Sequence, residues 1–153
     1  MLRIGLSLLF CFPMYAFSQK HMDQTKDDVK KELEKYVAAN SQLRPVLTET
    51  DSTLVLSVTE QSQPAVFVYG FDQTTGKCDY QQTTANCDSC YKKYLKNLLD
   101  QKIYNWKKIN ENQYVSAFEY QLLLELSAEA NDYSFTLIKT KWTKELYDLL
   151  IKD

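Results

Sequence analysis

Four cysteines are the residues of this 153-residue chain whose type and spacing could do chemistry: Cys11, Cys78, Cys87 and Cys90. Cys87-Asp88-Ser89-Cys90 forms a C-x-x-C. Placed at the start of a helix, such a pair has a thiolate stabilised by the helix dipole, which is the arrangement thiol–disulfide exchange needs. The same thiols in an exported chain also read as a structural bridge.

Sequence features oppose the exchange reading. The C-x-x-C lacks a preceding Trp and a Gly-Pro centre, both usual in thioredoxin-like enzymes, and no proline follows Pro64. Loop-closure entropy stabilises by about 1.9 kcal/mol for a Cys87–Cys90 bridge, about 2.7 for Cys78–Cys87 and about 2.9 for Cys78–Cys90. A long bridge would also pin the segment from Asp72 to Asn86. The expectation is therefore a structural bridge from Cys78 to Cys87 or Cys90. Covalent haem would need His after Cys90, and residue 91 is Tyr. Zinc would need all three thiolates and His21, the sole histidine. His21 falls in a leader expected to be mobile, so neither a metal nor another cofactor is expected.

Other chemistry finds little support. With three Gly there is no glycine-rich phosphate cradle. Glu119 and Glu125 share one face of a strand, but six residues of strand put them about 20 Å apart, too far for a glycosidase pair. Acid and base are mixed along the chain, so a nucleic-acid partner is not expected. Catalytic residues are expected to be none, with Cys87 and Cys90 as the redox alternative. Of the aromatics, Trp106 and Trp142 need a partner for the indole N–H or a rim position. A groove lined by Tyr104, Trp106, Tyr114 and Trp142 is the expected ligand site.

Residues 1–18 read as a secretory signal. Arg3 gives a positive start, Ile4 to Pro13 an apolar run of about ten residues, and Ala16-Phe17-Ser18 a small-residue cleavage site. Cys11 follows Leu8-Leu9-Phe10, and the bulky Phe10 opposes lipid attachment. Removing the signal leaves residues 19–153 as a single domain with 17 basic and 20 acidic side chains, a net charge of −3. No other apolar run is long enough to span a membrane. The chain is expected in a periplasm or outside the cell.

The elements that must position these residues follow from periodicity. Thr25 and Asp28 start a helix carrying Val29, Leu33, Tyr36 and Val37, closed by a left-handed Asn40. Pro45 and the run from Thr48 to Ser52 read as a connector. Thr53 to Thr59 and Ala65 to Phe71 read as strands around a loop at Glu60–Pro64. Thr74 to Gly76 is a turn. Lys77 to Thr83 reads as a strand with Cys78, Tyr80 and Gln82 on one face. Asp88 or Ser89 caps a second helix with Tyr91, Tyr94, Leu95, Leu98 and Leu99 inward. A strand through Tyr104, Trp106 and Ile109 turns at Asn110–Asn112 into one long strand from Tyr114 to Leu126. Asn131-Asp132 turns into a last strand, Tyr133 to Trp142. Thr143 caps a final helix with Leu146, Tyr147, Leu150 and Ile151 inward. Val29-Lys30-Lys31-x-Leu33 matches Tyr91-Lys92-Lys93-x-Leu95, but the likeness fades outside the helices and implies no duplication.

The expected fold is α+β, a meandering antiparallel sheet of five or six strands with two or three helices, in the order α-β-β-(β)-α-β-β-β-α. The expected function is non-enzymatic binding or assembly through the sheet, with a ligand or protein partner; the alternative is a thiol–disulfide oxidoreductase.

Overall fold

A computed structural model describes residues 21–59, 65–127, 129 and 132–152. The expected signal, Cys11, the Glu60–Pro64 loop and Asn131 lie outside the described residues. The fold is α+β, with three helices and one antiparallel sheet of eight strands in the described residues.

Helix α1 spans Lys26–Ala39. Thr25 caps it, its side chain accepting from the Asp28 N–H. Val29, Leu33 and Tyr36, at spacings of three and four, bury one stripe. Asn40 does not adopt the left-handed conformation (φ −123°); after a 3-10 turn at Ser41–Leu43, Arg44 does, at φ 47°. Strands β1 (Val46–Glu49), β2 (Thr53–Val58), β3 (Ala65–Phe71) and β4 (Cys78–Ala85) then pair in sequence. Strand β1 replaces the expected connector. Gly76 takes φ +67° in the turn before β4, where the Asp72 carboxylate accepts from the Thr74 and Thr75 N–H groups.

The second half repeats this order. Helix α2 spans Asp88–Leu99, followed by a 3-10 turn at Lys102–Tyr104 and a left-handed Asn105, again at φ 47°. Then come β5 (Lys107–Asn110), β6 (Gln113–Val115), β7 (Leu122–Leu126) and β8 (Ser134–Lys139). Tyr104 and Trp106 precede β5 rather than lie in a strand. The long strand expected over Tyr114–Leu126 is two strands that pair with each other, Tyr114 opposite Leu124. Gln121, at φ 50°, helps reverse the chain without glycine.

The sheet order is β1-β2-β3-β4-β8-β7-β6-β5. The fourth strands of the two halves meet at the centre, Gln81 opposite Leu137 and Thr83 opposite Phe135. Each half is thus a helix, a 3-10 turn and a four-strand meander, and the halves join by antiparallel pairing of equivalent strands. The architecture supports the duplication that the short helix match alone did not.

Helices α1 and α2 lie on one face of the sheet, where Leu33 and Leu98 join Leu54, Leu56, Phe67, Tyr69, Leu124, Phe135 and Leu137 in one core. A bulge between Gly70 and Phe71 sets the face of each β4 residue. It leaves Cys78, Gln81, Thr83 and Ala85 buried, while Tyr80 and Gln82 turn to the other face, contrary to the single phase expected for Cys78, Tyr80 and Gln82. Helix α3 spans Lys144–Leu150 and is capped by Thr143 as expected. Only Tyr147 is buried on it; Leu146 is exposed, not inward. The Tyr147 hydroxyl donates to the Ser116 carbonyl at 3.0 Å, fixing α3 against the β6–β7 connection.

Candidate functional site

The C-x-x-C sits where the sequence places it, at the N-terminus of α2. Cys87 is itself the cap, in place of the expected Asp88 or Ser89: its sulfur accepts from the Cys90 N–H at 3.1 Å. The two cysteines are joined, with Cα atoms 5.2 Å apart. Cys87 is half-buried and Cys90 is buried.

Cys78 stands at the far end of β4. Seven residue steps of strand separate it from Ala85 by roughly 23 Å. A disulfide tolerates only about 4.4–6.8 Å between Cα atoms, so the long bridge expected from Cys78 is not formed. Cys78 is a free, buried thiol, and burial pushes its pKa up to about 12. The same separation means that Cys78, Cys87 and Cys90 do not converge as zinc ligands.

His21 is a correction of a different kind. It is fully buried, not in a mobile leader. Its ring meets Tyr69 edge-on at 5.3 Å, and Nδ1 lies 3.1 Å from Gln24 Oε1 and 3.8 Å from Glu32. Backbone bonds from Asp23 N–H to the Cys78 carbonyl, and from Cys78 N–H to the Gln24 carbonyl, lock this segment beside β4. Burial raises the Tyr69 pKa well above its ordinary value.

The four aromatics expected to line a groove divide into two groups. Tyr104 packs on Trp106 at 5.8 Å, and Tyr104, Trp106 and Tyr114 all pack against the main core. The Trp106 indole N–H donates to the Leu98 carbonyl. Trp142 instead packs on Tyr147 at 6.1 Å, beside α3. These contacts place Trp142 with α3 and the other three with the main core. Phe118 and Glu119 lie in the β6–β7 connection, so Glu119 and Glu125 share no strand face.

A second surface is the sheet face opposite α1 and α2. Register aligns Thr48, Val55, Val68, Gln82 and Thr136 in one row across it, and Val46, Ser57, Val66 and Thr84 in the next. From β1 to these central strands neither row carries a charged side chain; beyond Thr136 the first row continues into Glu125 on β7. Val46 is 54% exposed and Val66 37%. Tyr80 leans over Gly70, where an added Cβ would come within 3.1 Å of the Tyr80 Cβ. The sequence signal for this face was the outward phase of β2 and β3, Val55, Val66 and Val68 where polar residues are usual.

Comparison with protein-family models, characterised proteins and solved structures finds no match to this chain. Among the described residues, no helix is long and apolar enough to cross a membrane.

Proposed function

We propose that this is an exported, non-enzymatic binding or assembly module that works through the open face of its sheet. The observation that carries the reading is the pair of uncharged rows running from β1 to the central strands, with Val46 and Val66 exposed among them. Contiguous exposed apolar surface marks interaction sites in soluble proteins. A sheet face is also preorganised: its main chain is already paired, so binding there costs little ordering entropy. The Cys87–Cys90 bridge favours an oxidising compartment and so supports export.

The test is a Val46→Glu, Val66→Glu double variant. Both positions are exposed, so folding should survive, as near-UV circular dichroism would verify. In extracts of the cells that make it, the wild-type protein should elute in a larger complex and the variant as a free chain. Identical elution of the two contradicts the reading.

One observation favours a second reading, thiol–disulfide exchange. Cys87 is the more exposed partner and sits at a helix N-terminus, as an attacking thiol must, while Cys90 is buried behind it. Insulin reduction above background, lost in Cys87→Ser, would favour the enzyme.

A further inference from the structure

The edge of the sheet offers a site separate from its open face. Strand β1 is an edge strand, and among the described residues its outer side pairs with no other strand. Which main-chain groups point outward follows from the ladder. The Phe71 N–H donates to the Ser52 carbonyl, so counting alternately along β2, residues Leu54, Leu56 and Val58 bond to β3. Thr53, Val55 and Ser57 therefore bond to β1, and their partners there are Thr48 and Val46. The Thr50 N–H to Thr53 carbonyl bond closes the hairpin in the same phase. Leu47 and Glu49 are left with N–H and C=O directed away from the sheet.

Those two residues also line a pocket. It holds about 480 Å³ between β1 and α1, with Val37, Ala38, Leu47 and Leu54 as its apolar wall and Lys30, Glu34 and Glu49 at its charged mouth. Lys26 and Lys30 both hold the Glu49 carboxylate, at 2.8 and 2.6 Å, which ties these side chains to the rim. The wall of Val37, Ala38 and Leu47 below them fits an apolar side chain. A free strand edge beside a helix, with a pocket at the outward-bonding residues, is the geometry of strand addition: main-chain bonds give affinity and the pocket gives specificity.

The opposite edge is guarded. Strand β5 carries exposed Lys107 and Lys108 and a register shift before Asn110, which are devices that block edge pairing. Strand β1 has no lysine and no bulge. We propose that the β1–α1 groove takes an extended segment of a partner protein, paired to the main chain of Leu47 and Glu49, with one large apolar side chain in the pocket. A second copy of this chain fits less well, because the apolar side chain its own β1 offers on that face is Leu47, which already forms the pocket wall.

The test is selection of a displayed random heptapeptide library on the whole protein and on its Ala38→Trp variant. Ala38 is exposed on α1, so the indole blocks the groove without entering the core. Peptides with a central large apolar residue should enrich on the wild type and bind the variant at least tenfold more weakly. A resynthesised peptide should slow amide exchange at Leu47 and Glu49 in the wild-type chain and leave Val46 and Thr48 unchanged. Absence of enrichment, equal binding to both proteins, protection on β5, or sedimentation of the free chain as a dimer that Ala38→Trp abolishes would each overturn the proposal. The double variant Val46→Glu, Val66→Glu alters the other face, so failure of one proposal leaves the other standing.

Discussion

The two halves use one plan and finish it differently. In the first, the corner from helix to edge strand runs through Arg44 and Pro45, and the α1–β1 groove stays open. In the second, the corner is Asn105 and Trp106, and Trp106 ties its indole to the Leu98 carbonyl at the end of α2. Where α1 offers Glu34 and Ala38, α2 places Lys96 and Asp100, which pair with each other. The second half also takes the disulfide, helix α3 and a lysine-guarded edge. One half is closed off; the other, among the described residues, leaves its edge strand unpaired on the outer side and Val46 and Val66 exposed. That asymmetry is why binding is assigned to the first half.

The largest effects bear on whether the halves fold separately. The β4–β8 ladder and a shared core join them, so one cooperative transition is expected. Leu33→Ala in α1 and Leu98→Ala in α2 remove fully buried side chains. Each should cost about 2–5 kcal/mol and lower the same urea midpoint. A biphasic curve, with only one phase moved by each variant, would make the halves independent.

Next in size is the bridge that only the second half has. Cys87→Ser removes a short-loop disulfide, for which loop entropy gives about 2 kcal/mol. The introduced hydroxyl can still cap α2, so the measured loss should not exceed that figure. In a chain beginning at Gln19, which lacks Cys11, thiol titration of the native protein should find no reactive group, because Cys78 is buried with a raised pKa; one appears on unfolding.

Capping separates the halves more finely. Thr25→Ala deletes the hydroxyl that caps α1 and should cost about 1 kcal/mol by urea unfolding. The smallest effect belongs to the groove mouth. Hydrogen bonds from Lys26 and Lys30 hold the Glu49 carboxyl down at about 2, against an ordinary 4.5. A depressed pKa stabilises the folded chain above pH 4.5, and the gain is lost as pH falls toward 2. Glu49→Gln should therefore lower the thermal midpoint slightly at pH 7, screened because the group is exposed, and by less as pH falls toward 2.

How much was legible follows local physics. Strand β3 and the Thr143 cap could be read because alternation and cap chemistry are written in neighbouring residues. Strand β1 could not: as a four-residue edge it is mostly exposed and shows no alternation, and Pro45 and Thr48 resemble a loop. The β6–β7 reversal hid because Gln121 takes a positive φ without glycine and both strands keep an apolar phase. Cysteine pairing misled because loop entropy ranks bridges without knowing that β4 holds Cys78 far from Cys87. His21 misled because its burial depends on Tyr69 and Cys78, distant in sequence. The β1–α1 groove was invisible for the same reason as β1 itself.

The assignment of binding to the first half is tested most directly by photo-crosslinking from single positions in the cells that make the protein. A crosslinker at Val66, on the open face, is compared with one at Leu146, a more exposed apolar side chain on α3. A discrete adduct is expected from position 66 and none from position 146. Equal labelling from both, or an adduct from position 146 alone, would contradict the assignment.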